Sequence, residues 1–228
     1  MKKTRFLVIK FDRPIMAWEV EYFRASVIEN TKRQSDLFHN HKSDTAYHYR
    51  YPLIQYKIID KKPAIICINA GTNDIYYLLE NREFFFDIKG KVDKYEVEEV
   101  VFKNVPIQTW QDSFRYNVHN YMPFNQENYA FFQKLGSMKQ QLQFIQELLN
   151  KHISIILEEL EESGQTNLPL EVEIEKMKSD RFIQYKGIHH LTYCLNIKTN
   201  VSLPNYIGIG KGVSLGFGIV KKLSDGKK

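Results

Sequence analysis

The order of hydrophobic periods in the first hundred residues most constrains the fold. Between Arg5 and Phe11, Leu7, Ile9 and Phe11 alternate with Phe6, Val8 and Lys10, a period of two that predicts a strand. Pro14 closes it. From Ala17 to Lys32, Val20, Phe23 and Val27 recur at the spacing of one helix face. Tyr49–Asp60 and Ala64–Ala70 read as a hairpin turning at Asp60-Lys61-Lys62, with Ile54, Tyr56 and Ile58 on one side and Gln55 and Lys57 on the other. A short helix over Asp74–Asn81 and one or two strands between Phe84 and Lys103 follow. The order β-α-β-β-α-β is that of a ferredoxin-like, or RRM-like, unit, an architecture that binds RNA on an antiparallel sheet in RNA-recognition motifs.

Val105-Pro106 marks the expected boundary between an N-terminal domain, 1–104, and a C-terminal domain, 105–228. Asn125 is placed to cap a helix. A long helix is predicted from Met138 to Glu162, with Met138, Leu142, Ile145, Leu149, Ile153, Ile156 and Leu160 in one stripe and Gly164 stopping it. Strands are predicted at Leu170–Lys178, Arg181–Tyr185, Ile188–Thr199 and Gly218–Leu223. This half is poorer in helix than a repeat of the first. The expected class is therefore α+β, with tandem ferredoxin-like βαββαβ domains of which the second is degenerate.

The net charge of +5 permits a nucleic-acid partner, and its distribution is uneven. Lys32, Arg33, Lys42, Arg50, Lys57, Lys61 and Lys62 face only Asp36, Asp44 and Asp60 across that stretch, whereas Glu158 to Glu175 holds glutamates and no base. Cys67 and Cys194 are the only cysteines, which excludes a disulfide framework or a C-x-x-C metal site and suits a reducing cytoplasm. The apolar run Phe6–Ile9 is far too short for a signal peptide, and no stretch approaches a membrane span. The reading is of a cytoplasmic protein without a membrane partner.

Near the C-terminus, Gly208-Ile209-Gly210-Lys211-Gly212-Val213-Ser214-Leu215-Gly216-Phe217-Gly218 packs five glycines into eleven residues. Glycine lets backbone N–H groups approach a ligand closely, and successive N–H groups with Lys211 and Ser214 suit phosphate oxygens. The spacing does not match a G-x-x-x-x-G-K-[ST] loop, and no long helix follows to complete a dinucleotide-binding unit. A mobile or turn-forming glycine segment is the competing reading.

The densest polar and aromatic cluster is the loop from Leu37 to Pro52, which carries His39, His41 and His48 beside Lys42 and Arg50. Cleaving RNA without metal needs a base for the 2′-OH, an acid for the leaving 5′-oxygen and cations for the phosphorane. Two histidines with Lys or Arg can fill those roles. The alternatives are ordinary loop residues, or a zinc site completed by Asp36, Asp44 or His48.

These segments resemble the CRISPR-associated repeat-cleaving endoribonucleases of the RAMP superfamily. Gly208, Gly210, Gly216 and Gly218 match the four glycines of the family's C-terminal G-x-G-x-x-x-x-x-G-x-G signature, Ile209 and Phe217 its hydrophobic slots, and Lys211 its base. Phe23-Arg24, Leu37-Phe38-His39-Asn40-His41, Tyr49 to Lys57, and Phe124 to Tyr129 extend the likeness over most of the chain. The resemblance implies metal-independent cleavage of precursor crRNA, with no cofactor, leaving 5′-OH and 2′,3′-cyclic phosphate ends. It places the family's catalytic histidine after the first helix, where His39 and His41 stand, and leaves open which of them is the base; the assignment adopted is His41 as base, His39 as second acid/base group and Tyr47 as supporting donor. Arg50 and Lys57, with Gly208, Gly210, Lys211, Gly212, Ser214, Gly216 and Gly218, would bind RNA. The expected partner is CRISPR repeat RNA, with CRISPR effector subunits and a second copy as further candidates. Two other readings stand beside this one: a non-catalytic RNA-binding RAMP subunit of a CRISPR effector complex, and a glycine-loop nucleotide-binding enzyme.

Overall fold

A computed structural model describes residues 3–31, 34–38, 51–160, 168–185 and 187–224. The chain divides into two compact units: Lys3–Val105 with Ser214–Gly216, and Pro106–Val213 with Phe217 onward.

The N-terminal unit runs β1 (Thr4–Phe11), a 3-10 turn (Ala17–Glu19), α1 (Val20–Asn30), a second 3-10 turn (Asp36–Phe38), β2 (Ile54–Ile59), β3 (Lys62–Ile68), α2 (Gly71–Asp74), α3 (Tyr76–Leu79), β4 (Phe84–Ile88), β5 (Lys91–Tyr95) and β6 (Val97–Val105). Its four-stranded antiparallel sheet has the order β2-β3-β1-β6. The alternation in β1 sends Leu7, Ile9 and Phe11 into one core with Val20, Phe23 and Val27 of α1. Phe23 meets Phe86 edge-on at 5.0 Å and Tyr56 at 6.1 Å, so the predicted helix face is an aromatic packing face. The β2–β3 hairpin closes through Asp60 and Lys61 at φ 52° and 66°, the left-handed pair of a type I′ turn. The stretch from Phe84 to Lys103 holds parts of three strands rather than one or two, because Lys89 and Gly90, both at positive φ, turn β4 back on β5.

The C-terminal unit runs β7 (Thr109–Tyr121), α4 (Gln126–Phe132), α5 (Met138–Leu160), β8 (Val172–Tyr185), β9 (Ile188–Val201) and β10 (Ile219–Lys222). Its sheet order, β10-β7-β9-β8, repeats the N-terminal pattern: second, third, first and fourth core strands side by side. Asn125 caps α4, its Oδ1 accepting from the N–H of Asn128 at 2.7 Å. In α5, Ile145, Leu149, Ile153, Ile156 and Leu160 are buried as the stripe predicts, but Met138 and Leu142, in its first turns, are exposed. Gln146 ties α5 to the edge strand: its Nε2 donates to Val172 O at 2.5 Å and its Oε1 accepts from Ile174 N at 2.8 Å. The strands predicted at Leu170–Lys178 and Arg181–Tyr185 are one strand, β8, kept continuous across two register shifts against β9.

No helix between β9 and β10 is present among the described residues; the glycine segment takes that place. The molecule is thus α+β with two ferredoxin-like units, the second lacking its final helix. No described helix is long and apolar enough to cross a membrane.

Candidate nucleic-acid interface

The glycine segment is held by backbone hydrogen bonds. Ile207 and Ile209 are fully buried. Val220 N donates to Ile207 O at 2.9 Å and Ile209 N to Gly218 O at 2.9 Å, so the segment folds back on its own end. Gly218 N reaches Asn120 O and Lys211 N reaches Met122 O, each at 2.9 Å, which fixes the loop to the end of β7. Ser214, Leu215 and Gly216 group with the N-terminal unit, where Tyr56 N donates to Ser214 O at 3.1 Å and Leu215 bridges Tyr56 in parallel.

This anchoring sorts the glycines by task. A Cβ on Gly210, at φ 95°, would lie 2.7 Å from Met122 O and 2.8 Å from the Tyr121 ring; one on Gly218, at φ 63°, would overlap the Ile209 carbonyl. Close backbone packing requires those two. Gly208 and Gly218 are buried with Val213, Leu215 and Phe217. Gly210, Lys211, Gly212, Ser214 and Gly216 are half-buried and keep part of their surface. Of the seven loop residues assigned to RNA, five are therefore partly accessible, Gly210 among them although packing also requires it, and Gly208 and Gly218 are buried.

Beneath the loop, His152 on α5 pairs its Nδ1 with the buried Tyr121 hydroxyl at 2.8 Å. Burial first, and then the nearby Lys211 and Lys151, push the imidazole down to about 4. It is neutral at physiological pH and acts as a core partner, as its position on the helix stripe suggested. The Lys211 ammonium is itself lowered, by burial first and by Lys151 second. The loop's base thus sits in a positive local field.

A family model for the Cas6b C-terminal domain matches residues 87–223, and one for the Cas6b N-terminal domain matches residues 2–105. The chain belongs to the Cas6b family. A crystal structure of Cas6b superposes with a TM-score of 0.85 at 23% identity, over 96% of this chain and 100% of that one. A second Cas6b, described as a CRISPR RNA processing endoribonuclease, gives 0.71 at 22% identity over 97% and 100%. Csf5, a type IV Cas6 crRNA endonuclease, gives 0.58 at 10% identity over 96% and 99%. At such identities these likenesses establish the tandem ferredoxin-like fold. No curated protein sequence matches.

Within this Cas6b family member, His39, His41, Tyr47 and Arg50 lie outside the described residues. Their flanks are fixed in the N-terminal unit. Phe38 is buried and its carbonyl accepts from the Tyr56 hydroxyl at 3.4 Å, while buried Tyr51 accepts from Gln55 Nε2 at 3.0 Å. Phe38 and Tyr51, the described residues on either side of positions 39–50, are therefore held in the core.

Lys57 departs from the surface position that the sequence alternation suggests. It is fully buried on β2, as is Gln55, because both faces of this strand are covered. Burial lowers its ammonium from 10.5 to about 7. A folded-state pKa below the unfolded one means that the unfolded chain binds more protons between pH 7 and 10.5. The cost of burying Lys57 is thus full below pH 7 and relieved by about 1.4 kcal/mol per pH unit above it. In urea unfolding, the stability gap between Lys57→Met and wild type is expected to shift in favour of wild type by on the order of 2 kcal/mol from pH 7 to 9. A gap that does not move with pH would mean that Lys57 stays charged.

The glycine loop is anchored by Asn120 and Tyr121 at the end of β7 and by Met122 just beyond it, a strand absent from the periods read in the sequence. Its alternation of Phe114, Tyr116 and Val118 with Arg115, Asn117 and His119 was the available signal.

Proposed function

We propose that this chain is a metal-independent endoribonuclease that cleaves CRISPR repeat RNA within precursor crRNA and so releases guide RNAs. His41 accepts the proton of the 2′-OH, and that oxygen attacks the adjacent phosphorus. The bond from phosphorus to the 5′-oxygen breaks, and His39 gives that oxygen a proton. The products carry 2′,3′-cyclic phosphate and 5′-OH ends. Tyr47 donates a hydrogen bond to a phosphoryl oxygen, which stabilises the developing charge.

The glycine loop carries this reading. It is anchored through its backbone, with the Lys211 N–H taken by Met122 O, yet leaves Gly210, Lys211, Gly212, Ser214 and Gly216 partly accessible, which suits the Lys211 ammonium and the Ser214 hydroxyl to phosphate oxygens approaching over a glycine backbone. Arg50 adds a charge-assisted contact. Lys57, assigned to RNA from the sequence, is buried within the sheet and does not present its ammonium at the surface. Membership in the Cas6b family and the fold shared with a CRISPR RNA processing endoribonuclease support the substrate class.

The test is incubation of a labelled repeat RNA with purified protein in excess EDTA. One defined cut with a cyclic phosphate end is expected. Tight binding without a cut would favour the non-catalytic RNA-binding subunit, and a cut that needs added metal would overturn the mechanism.

A further inference from the structure

The helix-free face of the C-terminal sheet is charged unevenly. At one end, Arg115 on β7 is neutralised by Glu175 on β8, Nε to Oε1 2.8 Å, and Lys198 on β9 stands opposite Glu173 of β8 in the strand register. At the other end stand Arg181 on β8 and Lys221 on β10, both exposed, and neither forms an ion pair with a described residue. Between them lie His119 and Cys194, with Nδ1 and Sγ 3.2 Å apart. Burial depresses the imidazole first, and Arg181 and Lys221 depress it further, so both cations act on the same patch.

Arg181 is oriented rather than loose. The register between β7 and β9 shifts between Val118 and Tyr121, and Asn120 sits in that bulge at φ 51°. Its Oδ1 accepts from Arg181 Nη2. Its carbonyl accepts from Gly218 N at 2.9 Å. One bulge residue therefore joins the guanidinium to the last glycine of the loop. Lys221 is braced from the other side, its Nζ 5.7 Å from the centroid of the Tyr206 ring.

We propose that Arg181 and Lys221 form a second phosphate-binding site on the open face of the C-terminal sheet, with Asn120 as the residue that positions Arg181. The site takes backbone phosphates of the repeat RNA next to those met by the glycine loop, and this rests on the RNA-binding reading above. A guanidinium already fixed at one nitrogen keeps its remaining donors for phosphate oxygens at little further entropic cost.

Affinity for a repeat RNA carrying a 2′-deoxy nucleotide at the mapped cut is measured by anisotropy across a salt series. Arg181→Ala/Lys221→Ala is expected to bind about tenfold or more weakly. Its slope of log K against log salt should fall by about 1.4, two phosphates at roughly 0.7 each. Arg181→Gln/Lys221→Gln, isosteric in polarity, checks the same loss should the alanine pair fold poorly. Asn120→Gly keeps the left-handed backbone and removes only the side-chain anchor. It should weaken binding at unchanged melting temperature, and add nothing in an Arg181→Ala background. Arg115→Ala, at the neutralised end, should bind as wild type does. Unchanged affinity and slope in the double variants, or an equal loss in Arg115→Ala, would overturn the site while leaving the RNA-binding reading intact. A wild-type protein that fails to bind repeat RNA would overturn both.

Discussion

Replacing His41 with Ala is expected to slow single-turnover cleavage of repeat RNA by about 10²- to 10⁴-fold, the usual contribution of a positioned general base. A 2′-OH is a very weak acid, so at neutral pH its oxygen becomes a useful nucleophile only as a neighbour takes the proton. Histidine is suited because its ordinary pKa, near 6.5, leaves a neutral ring available at pH 7 and a protonated one within reach. His39→Ala is expected to cost a similar factor through the leaving group, which otherwise departs as a strongly basic alkoxide. The two losses differ in their pH signature. With both histidines present the rate should trace a bell, since the base must be neutral and the acid protonated. His41→Ala should remove the limb on the acid side, and His39→Ala the limb on the alkaline side. Exchange of these two limbs would swap the roles, and full activity in both variants would refute the histidine mechanism.

The elements that the sequence made legible are those whose side chains obey one period and face one core. Leu7, Ile9 and Phe11 alternate because one face of β1 packs on α1, and Val20, Phe23 and Val27 answer them from the helix. β7 was legible only in its second half, where Phe114, Tyr116 and Val118 alternate with Arg115, Asn117 and His119; Trp110 to Ser113 fall in a break of register against β9, between Thr109 and Phe114, and follow no hydrophobic period. Lys57 shows a different limit. Alternation assigns a side chain to a face of a strand, but what covers that face is a tertiary fact. The glycine segment was legible as an unusual backbone and as a family signature. Its division into buried and accessible positions depends on Asn120, Tyr121 and Met122, some ninety residues earlier in the chain. The candidate catalytic groups were read from residue type and resemblance alone, since both physical options at His39 and His41, acid–base pair or metal ligands, share one sequence pattern.

Gly218→Ala is expected to be the most destabilising substitution in the glycine loop, by about 3 kcal/mol or more. Two costs add. A left-handed backbone at φ 63° penalises alanine by about 1 kcal/mol relative to glycine. The new methyl would also overlap the carbonyl of Ile209, and that carbonyl cannot retreat freely, because Ile209 N is bonded to Gly218 O and Gly218 N to Asn120 O. Relief must therefore break a backbone hydrogen bond or shift the buried Ile209 side chain. Gly216 separates the two costs: at φ 82° its nearest obstacle to a Cβ is Tyr56 O at 3.6 Å, an ordinary contact, so Gly216→Ala should lose only the conformational part. Gly90, at φ 84° in the β4–β5 turn with nothing within 4 Å, gives the same baseline away from the loop. Urea unfolding of the three alanine variants should rank Gly218 well above Gly216 and Gly90, which should nearly coincide. If Gly218→Ala unfolds with the other two, the loop is soft enough to move aside. Its glycines would then be there for the approach of a phosphate backbone rather than for packing, and weakened RNA binding by a stable Gly218→Ala protein would show it.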